Sequence, residues 1–466
     1  MIDYYKNIFF LNKKNELFIK LLNILFYTLP FSFILGNLII NLNIFLFILI
    51  GCIHYKKKII NINEDLLTKL LLVFFLYIIL STLFNFFETY FSESKNINDF
   101  NNQVTNLIKS IAFLRFFIFL LIIKKMFNDK KLLLKPFFFI SLLLCLFISL
   151  DLIFQEIFGF NFFGMEPINI HKRSGIFGEE LIAGSYIFRF GIIGIFGYFI
   201  FFKKNNLNNL NFKNIIIMSL IFIGLILTTN RIPLVSFLFL FFLSIFVFKN
   251  NRKFFVKLFL LFFSIFLIFF FSHHRTNHNY KNLILKTFTF IEYNSINLSK
   301  IKENISDDKD LSSIKLEKKN KSQKGWHINI YYTSYMIWKT HPIIGGGLKS
   351  FRHDCFKISP NVSYANKISC GNHSHNYYLE ILTELGVIGL LIFISCLFIL
   401  FKNFNFRKKN NRQIYNTLYL FFLILIVELF PFKSSGSFFT TGNATYIFLI
   451  IGILMSNKLQ NKGQSY

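Results

Sequence analysis

The stretch KNNRKFFVKLFLLFFSIFLIFFFS (249–272) opens on a cluster of Lys, Arg and Asn. It then runs on through Phe, Leu and Ile with Lys257 as the only charge after Lys253. About 20 mostly apolar helical residues cross a hydrocarbon core of roughly 30 Å. A basic flank stays on the cytoplasmic side. One stretch therefore predicts both a transmembrane helix and its direction.

The same grammar recurs along the chain. Of 466 residues, 54% are hydrophobic, 69 are Phe and only 16% are charged, which excludes an ordinary soluble domain. The pattern predicts an all-α, polytopic membrane protein of about twelve spans. They fall near 18–34, 37–53, 67–87, 107–123, 132–154, 181–202, 214–230, 232–248, 254–272, 385–401, 414–430 and 441–456. Pro30 and Gly36 mark only weakly the turn between the first two. The polar, basic start (1–20) leads into the first span and lacks the pattern of a cleaved signal peptide.

A net charge of +28 raises the question of nucleic acid. The positions of the cations answer it. YKKK (55–58), KKMFNDKK (124–131), KKNNLNNLNFK (203–213), KNNRK (249–253) and KNFNFRKKNNR (402–412) occupy every second connection. The alternate short connections, 88–100 and 432–443, carry one Lys each. This is the signature of membrane orientation, with both termini cytoplasmic and no nucleic-acid partner. The chain divides into spans 1–9 (1–272), a large external loop (273–384) that is partly helical, and spans 10–12 with a cytoplasmic tail (385–466). The loop then faces the periplasm of a Gram-negative inner membrane. Within it, 299–325 is charged and reads as flexible. Residues 326–340 have helical spacing, which His341–Pro342 ends. Cys52, Cys145 and Cys396 lie in apolar runs and read as packing residues. Cys355 and Cys370 share the external loop, where pairing and free thiols both remain open.

Charge inside a membrane is costly and turns inward. Arg115, Asp151, Arg189, Arg231 and Glu428 lie in or beside spans. Arg115 sits near mid-span and reads as a structural pair. Asp151, Arg231 and Glu428 lie toward the outer ends, and Arg189 about eight residues, or roughly 12 Å, in from there. The outer loop 155–180 adds His171, Lys172 and Arg173. Polar chemistry thus collects on the face of the large loop, as suits a reaction at the membrane surface. The planar Arg fork matches phosphate, and Arg231 stands at a very tight turn. The glycines of IIGGGLKSFR (343–352), among them Gly345 and Gly347, permit a turn or a close approach of backbone to ligand. The run lacks a nucleotide-loop pattern.

HSHNYYLEILTELGVIGL (373–390) places two histidines before a helix that enters the membrane. Ser374 or Asn376 can cap it. The positive helix start keeps a nearby imidazole neutral and favours phosphate. Glu380 and Glu384 share one helix face, either as a buried polar pair or as orienting groups. Two histidines at i and i+2 are a weak metal signature, and no cofactor is expected.

RSGIFGEELIAG, TTNRIPLVSF, THPIIGGGLKSF and HSHNYYLEILTELGVIGL, in this order, resemble the O-antigen ligase family over about 110–430. That family includes related polymerases and protein O-oligosaccharyltransferases. The resemblance implies glycan transfer on the periplasmic face from undecaprenyl diphosphate. The acceptor is lipid A–core for a ligase and another lipid-linked repeat for a polymerase. It assigns His375 as the essential base and Arg173 and Arg231 as holders of the diphosphate. His373, Asn376, Glu380, Arg189, Gly345 and Gly347 are expected to line the substrate site, with Glu380 or His373 orienting His375. Transfer is expected to invert the anomeric centre without metal. The chain departs from the common pattern at GEE (178–180) and in the 299–325 insertion. A flippase for a lipid-linked sugar is the reading from another class. It fits less well, because no internal repeat is visible and the polar residues gather outside.

Overall fold

The computed structural model describes residues 2–59, 65–91, 97–167, 172–202, 212–272, 326–358, 370–404 and 412–456. The expected flexible run 299–325 and His171 lie outside these. Among the described residues the architecture is all-α.

The helices are α1 (Ile2–Leu35), α2 (Asn37–Tyr55), α3 (Leu66–Phe91), α4 (Ile97–Phe113), α5 (Arg115–Asn128) and α6 (Leu134–Phe158). Then come α7 (Ala183–Phe201), α8 (Phe212–Leu227), α9 (Arg231–Val247) and α10 (Arg252–Ser272). Outside the apolar runs stand α11 (Trp326–Thr340) and α12 (Phe351–Ile358). The chain closes with α13 (Tyr377–Asn403), α14 (Arg412–Glu428) and α15 (Thr441–Met455). Gly36, at φ +94°, separates α1 from α2, and α11 stops at Thr340, just before His341–Pro342.

All twelve expected spans fall on these helices, with α4 and α5 forming one. By length and composition, however, eight are long and apolar enough to cross a membrane. The other four, α8, α9, α14 and α15, have only 15–17 residues. At 1.5 Å per residue that is about 22–26 Å. The innermost, α15, is buried at every position from Ala444 to Met455. Wrapped by neighbours, it meets little lipid, so matching the hydrocarbon thickness puts no pressure on its length.

Close helix approach uses small residues, as expected where lipid is as apolar as a side chain. A Cβ on Gly224 would lie 2.5 Å from Ser149 Cβ, and one on Gly194 would lie 2.6 Å from Leu142 Cα. Large apolar side chains such as Leu38, Phe91 and Phe271 stay exposed on the outside. Of the cysteines expected to pack, Cys145 and Cys396 are buried, whereas Cys52 is exposed. Arg115 is held as expected for a structural cation: it donates to Asn41 Oδ1 at 3.0 Å and Thr441 Oγ1 at 3.3 Å.

Candidate functional site

The His motif is held by a cap and by a neighbouring turn. Asn376, extended at φ −150°, accepts from the Tyr378 and Leu379 backbone N–H groups and starts α13. Its amide also donates to the Pro431 carbonyl at 2.7 Å. The Ser435 N–H donates to the His375 carbonyl at 2.8 Å. His375 itself has φ +53°, a left-handed conformation that costs energy for a side chain and clusters at functional sites. The His373 and His375 rings meet at 4.2 Å between centroids. Burial, then the neighbouring His375, Lys349 and Arg352, push the His373 pKa down to about 4. The ring is therefore neutral near neutral pH, as the sequence implied.

One turn and two turns into α13, Glu380 and Glu384 are fully buried. Glu380 accepts from Ser437 Oγ at 2.5 Å and from the Phe438 N–H at 2.6 Å. Lys349 Nζ donates to the same Ser437 hydroxyl at 2.6 Å and lies 3.8 Å from Glu380. Glu384 accepts from the Lys349 N–H at 2.8 Å. The acidic pair is thus a buried lock. Both Glu380 oxygens are engaged by the 437–438 turn.

Gly345, at φ +84°, belongs to a second lock on α13. α13 breaks at Gly386, where φ is +65°. The break releases backbone groups that need partners in an apolar setting. The 342–347 loop supplies them. Gly346 and Gly347 N–H donate to the Thr383 and Glu384 carbonyls, and the Val387 N–H donates to the Pro342 carbonyl. A Cβ on Gly345 would sit 2.4 Å from Gly386 N. Its close approach is to α13 backbone. From α3, Ser81 and Asn85 donate to the Ile344 and Gly345 carbonyls. Gly347, at φ +88°, makes the turn and faces Thr82.

Arg189 lies on a π-helical turn, Ile187–Gly191, a feature that often marks functional sites. Its guanidinium pairs with Glu428, which also accepts from Tyr377 at 3.0 Å and Lys433 at 2.7 Å. Burial lowers the Lys433 pKa, and Glu428 opposes that shift. Tyr377 follows the His motif directly, so this ion cluster adjoins it.

Arg173 is buried and paired with Glu156 at 2.7 Å. Arg231 opens α9, two residues after Thr229, whose φ is +53°. The two loops touch, since Asn230 donates to the Leu181 carbonyl at 2.9 Å. Ring pairs Phe239–Phe430 and Phe248–Tyr419 run in opposite register, which makes α9 and α14 antiparallel. The Arg231 end of α9 therefore points the same way as the 429–440 connection that grips the His motif. The structure gathers the sequence-predicted residues at one end of the bundle. His373 touches His375, the Glu380 N–H donates to the Asn376 carbonyl, and Arg189 reaches Tyr377 and Glu428 beside them. Arg173 and Arg231 approach on adjoining loops.

Sequence reasoning missed Glu156, Lys349, Tyr377, Lys433 and Ser437. One signal was available: Lys433 is the sole cation of the connection 432–443. Cys355 and Cys370 are joined as a disulfide with Cα atoms 5.6 Å apart, which tethers α12 to the residues just before His373. Among the described residues, no group of three or more His, Cys, Asp or Glu is placed to hold a metal.

Residues 216–394 match the family model described as O-antigen ligase. This O-antigen ligase domain contains the Arg231 turn, the glycine loop and the His motif, and it bears out the resemblance carried by those motifs. The O-antigen ligase match over 216–394 and the apolar helices support an integral membrane protein with ligase- or polymerase-like glycan transfer. No curated protein matches the chain. Arg173, Arg189, Glu428 and Lys433 lie outside the matched O-antigen ligase stretch, so their place at the site rests on geometry alone.

Proposed function

We propose that the protein transfers a glycan from undecaprenyl diphosphate to lipid A–core on the periplasmic face of the inner membrane. The twelve helices cross with both termini cytoplasmic. Residues 1–272, 273–384 and 385–466 then form the first nine spans, the external loop and the last three spans with the tail. The observation that carries this reading is the O-antigen ligase match over 216–394, a stretch that contains the Arg231 turn, the glycine loop and the His motif.

His375 takes the proton of the acceptor hydroxyl as its oxygen attacks the anomeric carbon. The sugar–phosphate bond breaks with inversion, and the electron pair leaves on the lipid diphosphate. Arg173 and Arg231 stabilise that growing charge. Arg189, locked to Glu428, sets the inner wall. His373 and Asn376 shape the acceptor side, while Glu380, Gly345 and Gly347 hold α13 in place. The step needs no metal. Activity lost on chelation and restored by a divalent ion contradicts that part.

Polymerase action on lipid-linked repeats is the second reading, because the family match covers both chemistries. Gene deletion separates them. A ligase leaves lipid A–core without long glycan while lipid-linked polymer accumulates, and a polymerase leaves single repeats.

A further inference from the structure

Lys433 brings a surplus of positive charge to the Glu428 cluster. Its ammonium donates to Glu428 Oε2 at 2.7 Å, while Arg189 holds the other Glu428 oxygen. Tyr377, a neutral group, donates to that second oxygen as well. Among the described residues, Glu428 and Arg189 are the charges that face Lys433. Two cations thus share one carboxylate, and one positive charge is left over. The carboxylate is sealed, whereas the Arg189 and Lys433 side chains keep 13% and 11% of their surface open. The accessible part of the cluster is therefore cationic. An ammonium has three donor hydrogens, of which Glu428 takes one. Charge left without a partner in a nearly dry site is costly, so this cluster is built to receive an anion.

The cluster is bonded to the His motif. The Lys433 carbonyl accepts from Asn376 Nδ2 at 3.4 Å, and two residues on the Ser435 N–H donates to the His375 carbonyl. The Lys433 ammonium lies 5.3 Å from the centre of the Phe188 ring, next to Arg189 in the chain. Leu181, just before α7, accepts from Asn230, the neighbour of Arg231. Seven residues separate Leu181 from Phe188, or about 10 Å along a helix. Phe430 meets Phe239, eight residues past Arg231, which gives a similar depth. Lys433 therefore sits farther into the bundle than the Arg231 turn. A prenyl chain stays in hydrocarbon, so the phosphate next to it is the deeper of the two in a prenyl-diphosphate glycan.

We propose that Lys433 is a donor-binding residue whose remaining N–H groups take the phosphate next to the prenyl chain, with Glu428 holding the ammonium in place beside Arg189. The proposal rests on the reading of the donor as a prenyl-diphosphate glycan. Arg173 and Arg231 are then left for the outer, sugar-bearing phosphate, where charge grows as the sugar departs. Lys433 lies beyond the O-antigen ligase match over 216–394, so the turn after α14 becomes part of the donor site.

The test measures binding of radiolabelled undecaprenyl phosphate, which carries only the prenyl-side phosphate, to detergent-purified protein. Lys433→Met keeps the length and removes the charge. Lys433→Arg keeps the charge. Lys433→Gln keeps an N–H for Glu428 and is read in place of Met if Met fails to fold. Wild type is expected to bind the probe, Met and Gln about tenfold or more weakly, and Arg close to wild type. In liposomes, kcat/KM for the donor falls by a similar factor, while KM for the acceptor stays unchanged. A merely structural lysine would lower the melting temperature and leave binding by the folded protein unmoved. Met or Gln that melts like wild type and binds the probe equally well overturns the proposal, as does wild type that binds no probe. Phosphatidylglycerol that displaces the probe as well as unlabelled undecaprenyl phosphate does assigns the site to a phospholipid headgroup and also overturns it. Wild type that binds the probe yet transfers no glycan contradicts the transfer reading and leaves the phosphate site standing.

Discussion

Glu428 Oε1 accepts a hydrogen bond from Arg189 Nη2 at 2.5 Å, although the two residues stand 239 apart in sequence. One buried carboxylate holds two cations, since Lys433 binds its other oxygen. Removing one partner of a buried pair leaves charge without compensation and costs about 3–5 kcal/mol. Glu428→Ala is expected to lower the melting temperature of the detergent-purified protein sharply, with Glu428→Gln in between. An unchanged melting temperature for the Ala variant contradicts the cluster.

The glycine loop makes a paired prediction. Gly345→Ala puts a methyl against α13 backbone at φ +84°, where no flexible side chain can yield. It is expected to destabilise by about 2 kcal/mol or more, as strained or overpacked sites do. Gly371→Ala meets nothing nearer than the His373 carbonyl at 3.8 Å and is expected to be near neutral. Thermal unfolding of the two variants checks the contrast.

The Cys355–Cys370 bond closes a separation of 15 residues, for which chain entropy gives about 3 kcal/mol. Dithiothreitol is expected to lower the melting temperature. Cys355→Ser should match the reduced protein, and the double variant with Cys370→Ser should add nothing further. Intact mass with and without alkylation reports the pairing directly.

The pH dependence of stability has a defined sign. His373 titrates near 4 in the folded chain, against an ordinary value of 6.5. As pH falls, the unfolded chain takes up this proton first, so stability declines between about pH 6.5 and 4. Above that window the group contributes no slope. His373→Phe is expected to flatten the decline, measured as melting temperature against pH. An equal slope in both proteins contradicts the burial of His373.

The helices were legible because a span must be a run of apolar residues whose length the bilayer sets. The single end at which charge gathers was legible because alternate loops differ in Lys and Arg. Helices of 15–17 residues blurred the count of crossings, since periodicity does not say which helix is wrapped by others. Asn376 as cap and Arg115 as structural cation could be read locally. The Arg189–Glu428 pair could not, because nothing in either neighbourhood names a partner so far away. The neighbour of Gly345 was hidden for the same reason: the backbone it approaches is the break at Gly386 in another element. Lys349 and Ser437 looked like loop residues until folding placed both beside Glu380.

The most direct measurement is glycan transfer by purified protein in liposomes supplied with undecaprenyl-diphosphate donor and lipid A–core. Wild type is expected to form product, and His375→Ala to slow transfer by about 100-fold or more while melting like wild type. A His375→Ala protein that transfers glycan at the wild-type rate contradicts the account.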